Sequence, residues 1–133
     1  MAYIADTGID ITHPDFGGRA IFGFSAFSGK DDGHGHGTHC AGTVGSDSYG
    51  IAKRVDLVAV KVLNDRGSGS TGDIIEGLEW ILSDHNKRGG KGNAKSVVNM
   101  SLGGSPSDAE DDVINQLIDQ GIVVVAAAGT QNI

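Results

Sequence analysis

The chain has 133 residues, 38% of them apolar, which is enough for one domain with a core and too few for two. Its formal charge of -7 and pI near 4.9 argue against a nucleic-acid surface or an anionic-membrane binder, because both need clustered lysine and arginine. The ten basic residues are scattered instead. We therefore expect one acidic, soluble domain over residues 1–133, without nucleic-acid or membrane partners.

Neither the cysteine content nor the N-terminus indicates a cellular compartment. The single cysteine, Cys40, cannot form an intramolecular disulfide. The first residues lack the basic start and apolar run of a signal peptide, and no stretch approaches the ~18 apolar residues of a membrane span. Both ends look cut, because residues 3–5 already resemble a buried strand and the last four residues form no closing element.

Apolar runs of strand length alternate with segments of helical period, which is typical of a parallel sheet covered on both faces. The predicted elements, in chain order, are strands 2–5 and 20–24, a short helix 36–44, a strand 56–63, a helix 71–86, a strand 96–100, a helix opened by Ser107, and a strand 122–128. The last strand is almost entirely apolar, which predicts burial on both faces. The fold class predicted is α/β, three-layered, with a largely parallel sheet.

Two residues that follow these elements carry the candidate chemistry. In open α/β sheets the reacting groups lie on loops beyond the carboxyl ends of the strands. Asp6 follows the first strand, and His36 opens the first helix. A buried carboxylate beside a histidine fixes the tautomer of the imidazole and stabilises the imidazolium that forms when the ring takes a serine proton. Asp6 and His36 are therefore the predicted catalytic pair.

The segments around these two residues resemble a known family. Residues 6–10 (DTGID) with 13–16 (HPDF), and residues 35–43 (GHGTHCAGT), are similar to the two signature blocks of the subtilases, and the proteinase K-like branch fits best. The match continues in order through residues 50–53 (GIAK), 60–63 (VKVL), 67–71 (GSGST) and 99–104 (NMSLGG). The order of Asp6 before His36 agrees with the Asp, His, Ser order of subtilisin.

The resemblance implies a secreted serine endopeptidase that hydrolyses peptide bonds without a cofactor. Asp6 would orient the base, and His36 would be the general base and acid. A substrate backbone would pair with a strand edge on one side of a channel, with a P1-pocket wall opposite. The residues implied are Ser68, Gly69 and Ser70 for the edge, and Ser101, Leu102 and Gly103 for the wall, with Ala128 and Gly129 near it.

The chain also departs from the family pattern. The nucleophile of the family lies in a Gly-Thr-Ser block that nothing here matches, and Thr7, Ser101 and Ser105 are not substitutes by motif. Thr130 occupies the position of the oxyanion asparagine. The calcium loop of the bacterial subtilisins has no counterpart in residues 45–52, so no metal is expected. We therefore expect a fragment that is inactive alone and that associates with a missing C-terminal half or with itself. The alternative is a catalytically dead binding or regulatory pseudoprotease.

Two other interpretations start from the same residues. Asp-Thr-Gly also occurs in aspartic proteases, but these are nearly all β and have no use for the His36 block. A zinc site could use His34, His36, His39 and Asp31 or Asp32, but no distant ligand completes it. For the remaining candidates, we expect His39 to be a packed structural histidine, Cys40 a small buried apolar group, and His13 and His85 turn or surface residues.

Overall fold

The computed structural model describes residues 1–104 and 107–128. It contains β1 (Ala2–Asp6), a 3-10 turn (Pro14–Phe16), β2 (Ala20–Ser25), α1 (His36–Gly45), β3 (Leu57–Lys61), α2 (Thr71–Lys87), β4 (Val97–Met100), α3 (Asp108–Asp119) and β5 (Val123–Ala126). All the predicted strands and helices are present, and their bounds differ from prediction by one or two residues. None of the helices in the described ranges is long and apolar enough to cross a membrane.

The five strands form one parallel sheet in the order β2-β3-β1-β4-β5. Strand β1 lies in the middle, where Ile4 pairs with Ala59 of β3 on one side and with Asn99 of β4 on the other. The predicted α/β class is confirmed. Because all carboxyl ends share one edge, the loop after β1 lies at the centre of that edge.

Each face of the sheet has its own core, because side chains alternate along every strand. Tyr3 and Ala5 of β1 pack on the side of α2 and α3, and Ala2 and Ile4 pack on the side of α1. The larger core includes Leu78, Ile81 and Leu117, and the smaller one includes Ala41, Phe16 and Leu57. Asp6 continues the alternation of Ala2 and Ile4 and therefore faces α1.

Serine side chains cap the two long helices. The hydroxyl of Ser70 accepts from the amide of Asp73, whose carboxylate accepts from the amide of Ser70 in return, and this completes a capping box for α2. Ser107, predicted to open this helix, caps α3 by accepting from the amide of Glu110 at 3.2 Å.

His85 is fully buried, so the prediction of a turn or surface residue was wrong. It lies four residues after Ile81, on the buried face of α2. Its Nε2 lies 2.9 Å from the carbonyl oxygen of Gln120, and its Nδ1 lies 2.8 Å from Ser96 Oγ. Since a carbonyl only accepts, Nε2 carries the proton and Nδ1 accepts from the serine. His85 thus joins the ends of α2 and α3 to the start of β4.

The last strand also differs from expectation. Val123 and Val125 of β5 are 60% and 50% exposed, so the prediction that this strand is buried on both faces was wrong. In the described ranges β5 is an edge strand, and Val124 packs against the core under α3 while its neighbours face the side of α1. Among the described residues, the main contacts of helix α1 are with β1 and the 3-10 turn, so Val123 and Val125 stay exposed on this face.

We expect this apolar edge to drive association, because an unpaired parallel strand with exposed valines is a template for another chain. Val125→Lys should lower the concentration-dependent mass measured by analytical ultracentrifugation, since the lysine opposes apolar packing at the edge. Ile51→Lys is the matched control, because Ile51 is 89% exposed and lies outside the sheet. Equal association by both variants would contradict the role of β5.

Candidate active site

The predicted contact between Asp6 and His36 is present in the structure. Asp6 is the last residue of the central strand and has no exposed surface, whereas the side chain of His36 is 45% exposed. Asp6 Oδ1 lies 2.8 Å from His36 Nδ1 and also accepts from the amide of Thr7 at 2.7 Å. Since an ionised carboxylate only accepts, Nδ1 carries the proton of this bond. The lone pair of Nε2 is then available to accept a proton.

The second oxygen of Asp6 is unusual. Oδ2 is buried, and no donor among the described residues forms a hydrogen bond with it. A buried acceptor without a donor is costly for folding, and such groups in native proteins call for a functional or structural explanation. Since no donor in the described ranges balances the charge of Oδ2, the side chain that bonds to the carboxylate is the His36 ring, through Oδ1.

Helix α1 reaches this position through a close backbone contact. A Cβ atom on Gly37 would lie 2.1 Å from the carbonyl oxygen of Gly8, so a side chain at Gly37 would force the helix away. Gly8 itself has a φ of +109°, which favours glycine. The amide of Gly37 donates to Thr7 Oγ1 at 2.9 Å. The glycines that follow Thr7 and His36 thus bring α1 against the loop after β1.

A buried lysine at the end of β3 also bonds to the loop after β1. Lys61, the last residue of β3, is 2% exposed, and its Nζ donates to the carbonyl oxygen of Thr7 at 2.6 Å and to Asp65 Oδ1 at 2.8 Å. Asp65 also accepts from the amide of Gly33, and the Lys61 ammonium lowers the pKa of its carboxyl. Sequence analysis missed this role, although a charged residue at the end of an apolar strand is an available signal.

Asp32 is a second residue that sequence analysis assigned only to the rejected zinc site. Its carboxylate accepts from Thr7 Oγ1 at 2.8 Å and from the amides of Gly35 and Thr38 at 2.8 and 2.9 Å. Partial burial raises the pKa of Asp32, but hydrogen bonds from Thr38, Gly35 and Thr7 outweigh that effect and lower it to about 2. The signal available was an acidic residue shortly before a helix N-terminus.

The predicted substrate-binding residues lie on exposed or partly exposed loops. Ser68, Gly69 and Ser70 are exposed and lie outside the strands. The backbone of Ser68 is engaged with Asn64, and Ser70 caps α2. Gly69 is packed so closely that a Cβ would lie 2.1 Å from the carbonyl oxygen of Val62.

The other implied wall follows β4. Ser101 and Leu102 are partly buried and Gly103 is exposed, and Asn99 donates to Ser101 Oγ at 2.9 Å. Ala128 is exposed just beyond β5. Gly129 and Thr130 lie outside the described residues, so the predicted oxyanion position has no structural account.

Cys40 and His39 differ from their predicted surroundings. Cys40 is half-buried rather than buried, and its Sγ lies 3.9 and 4.0 Å from His36 Nδ1 and Nε2. Burial raises the pKa of the Cys40 thiol, and the nearby charge of Asp6 adds to this. His39, predicted to be packed, is exposed and lines a cavity of about 660 Å³ with Phe16 and Tyr49.

The residues of the rejected zinc site do not converge. Among the described residues, the one group of three or more candidate ligands is Asp6, His36 and Cys40. The His34, His36 and His39 site is therefore not formed.

A parallel sheet with an Asp–His pair at its carboxyl edge is an arrangement found in hydrolases that use a serine nucleophile. The comparison with known proteins is more specific. Residues 3–132 match the model of the subtilase family, and the chain belongs to that family.

Individual relatives agree. The chain is 52% identical to subtilisin-like protease 6 of Trichophyton schoenleinii and 46% identical to the subtilisin-like serine protease Rho m 2.0101 of Rhodotorula mucilaginosa, each over 98% of its length. It covers 33% and 39% of those two proteins. A cold-adapted subtilisin-like serine proteinase superposes with a TM-score of 0.86 at 41% identity, with 98% of this chain and 46% of that one covered.

We expect Gly37→Ala to destabilise the chain by about 1–3 kcal/mol, the usual cost of overpacking, because its methyl would collide with the carbonyl of Gly8. Urea unfolding followed by circular dichroism measures the change. Gly42→Ala, in the same helix, is the control: its Cβ would meet only Ser46 Oγ, at 3.9 Å, and should stabilise α1 by about 0.5–1 kcal/mol. Equal effects would show that the close contact is absent.

A second expectation concerns acid stability. The folded pKa of Asp32, about 2, lies below the ordinary aspartate value of 3.8, so its contribution to stability is complete above about pH 4 and is lost as the pH falls through 2. After allowance for solvent screening, this amounts to about 1 kcal/mol. Asp32→Asn should therefore lower the urea midpoint at neutral pH and converge with the unmodified chain near pH 2. Asp31→Asn should keep the pH profile of the unmodified chain. An Asp32→Asn variant whose urea midpoint stays lower at pH 2 by the same amount as at neutral pH would refute the assignment.

Proposed function

We propose that the chain is the first part of the catalytic domain of a serine-type endopeptidase, in which Asp6 orients His36 and His36 is the general base and acid. The contact of 2.8 Å between wholly buried Asp6 and half-exposed His36 carries this proposal. The family membership supports the reaction class. Because the chain spans about a third of the length of its relatives, the activity belongs to a longer protein.

The reaction uses a serine from outside these 133 residues, since the sequence has no Gly-Thr-Ser block. As the serine oxygen attacks the peptide carbonyl, its proton passes to Nε2 of His36, and Asp6 stabilises the resulting imidazolium. His36 then gives that proton to the leaving amine as the C–N bond breaks. In the second half of the reaction, water attacks the acyl carbon and gives its proton to His36. The ester C–O bond then breaks, and His36 returns the proton to the serine oxygen as the acid leaves. These steps need neither a metal nor a cofactor.

The substrate is a peptide or protein chain that lies between two loops. One loop holds Ser68, Gly69 and Ser70, and the other follows β4. The small residues Ser101 and Gly103 would leave room for a P1 side chain beside Leu102, with Ala128 and Gly129 near. Thr130 would present a hydroxyl on a shorter arm than the family's asparagine, and would stabilise the oxyanion less.

The proposed partner of the chain is the remainder of the catalytic domain. Exposed Val123 and Val125 give it an apolar surface to cover, on the same face of the sheet as α1 and Asp6. Without that part, self-association through β5 is the competing outcome. The longer protein is proposed to be secreted, as the family resemblance implies.

The decisive test joins the chain to the C-terminal part of subtilisin-like protease 6 from T. schoenleinii, beginning where the similarity to this chain ends. We expect a fluorophosphonate probe to label this fusion but not the chain alone. Asp6→Asn should lower kcat for peptide hydrolysis by roughly 10⁴-fold, the loss known when the orienting aspartate of a triad is replaced. His36→Ala should lower it at least as much.

Asp31→Asn in the same fusion is the matched control, because it removes one exposed carboxylate from the same loop without touching the pair. Labelling of the chain alone would contradict its proposed inactivity. A folded fusion that is neither labelled nor active would favour the regulatory pseudoprotease.

A further inference from the structure

We propose that Asp32, which forms no hydrogen bond with the side chain of Asp6 or His36, is a positioning residue that fixes the orientation of the His36 ring relative to Asp6. Its consequence for catalysis rests on the proposed function, but the geometric statement does not. The inference rests on the donors to the Asp32 carboxylate, which come from both the loop after β1 and the first turn of α1.

The carboxylate of Asp32 collects five hydrogen bonds. Oδ1 accepts from Thr7 Oγ1 at 2.8 Å and from the amides of His34 and Gly35 at 3.1 and 2.8 Å. Oδ2 accepts from the amide of Thr38 at 2.9 Å and from its hydroxyl at 2.5 Å. Both oxygens are therefore used, one toward the loop after β1 and the other toward the first turn of α1.

These bonds replace the missing cap of α1. The N-cap residue Gly35 has no side chain to accept from the first turn. Asp32 accepts the amides of Gly35 and Thr38, Thr7 Oγ1 accepts that of Gly37, and His34 Nδ1 accepts that of His36 at 3.3 Å. A carboxylate at this end is also stabilised by the helix dipole. Asp32 thus caps the first turn of the helix that carries His36.

The same carboxylate also sets the direction of two hydroxyl groups. A hydroxyl has one proton, so Thr7 and Thr38, which donate to Asp32, must turn lone pairs elsewhere. Thr7 Oγ1 accepts from Gly37, and Thr38 Oγ1 accepts from the amide of Asp10 at 2.8 Å. Thr7 is wholly buried and follows Asp6 directly. Asp32 thus connects the residue after Asp6 with the two residues after His36.

Asparagine cannot reproduce this pattern. Five donors point at the two oxygens of Asp32, whereas an asparagine amide offers one oxygen and one NH2 group. In either orientation the NH2 group faces at least one backbone amide, because amides point at both oxygens. Asp32→Asn should therefore loosen the first turn of α1 while the sheet and the far helices remain.

The test uses ¹⁵N-labelled chain and follows the ring of His36 by NMR at an alkaline pH where an ordinary histidine is neutral. In the unmodified chain we expect the Nδ1–H tautomer with a downfield Nδ1 proton, because Asp6 accepts it. In Asp32→Asn we expect loss of that proton signal and a shift toward the Nε2–H tautomer. Amide signals from β4 and α3 report whether the fold is kept. Asp31→Asn, with the same change of charge, should retain the unmodified tautomer.

A folded Asp32→Asn variant with the unmodified tautomer would overturn the inference, and so would an equal change in Asp31→Asn. If Asp32→Asn does not fold, Thr38→Val decides, because it removes the hydroxyl that donates to Asp32 and accepts from the amide of Asp10, while it keeps the charge of Asp32. Loss of the Nδ1 proton there supports the inference, and its retention overturns it. Absence of the Nδ1–H tautomer in the unmodified chain would sink this inference together with the proposed function, whereas an inactive fusion alone would leave the inference standing.

Discussion

The approach of Gly37 to the carbonyl of Gly8 is the contact on which the site depends. It joins the first turn of α1 to the loop after the central strand with no side chain between them. Asp6 precedes that loop, and His36 precedes Gly37 in the helix. Backbone contact fixes the separation of two elements more closely than packed side chains do, because it has no rotamers to exchange. The distance between Asp6 and His36 follows from it.

Three carboxylates form hydrogen bonds to the loops that meet at this edge of the sheet, and each has its own donors. Asp65 pairs with the buried ammonium of Lys61, and Asp32 receives bonds from Thr7, the α1 turn and the loop before it. Asp6 receives the amide of Thr7 and the ring of His36. Because Asp32 and Asp65 are satisfied elsewhere, neither competes with Asp6 for the His36 proton. An acidic region can therefore hold one specific carboxylate–imidazole pair.

The fold was predicted from periodicity because strands buried on both faces and amphipathic helices leave clear patterns in this sequence. The two errors in the fold, the burial of His85 and the exposure of β5, have different causes. His85 lies on the same helix face as Ile81, but a titratable residue is expected at the surface. Its burial depends on hydrogen bonds with the Gln120 carbonyl and the Ser96 hydroxyl, which no local pattern reveals. The exposure of Val125 depends on whether a helix or another strand covers β5, whereas composition indicates only that the strand is apolar.

The sequence by itself determined the order of strands and helices and the pairing of Asp6 with His36, because both are encoded in local patterns and specific motifs. Only the tertiary structure decided which polar residues support the pair. Asp32 and Lys61 look like ordinary charges in the sequence. Their roles depend on loops more than twenty residues apart meeting at the edge of the sheet, where Asp32 reaches Thr7 Oγ1 and Lys61 reaches the Thr7 carbonyl. Such convergence is set by chain crossing and packing, which local patterns do not specify.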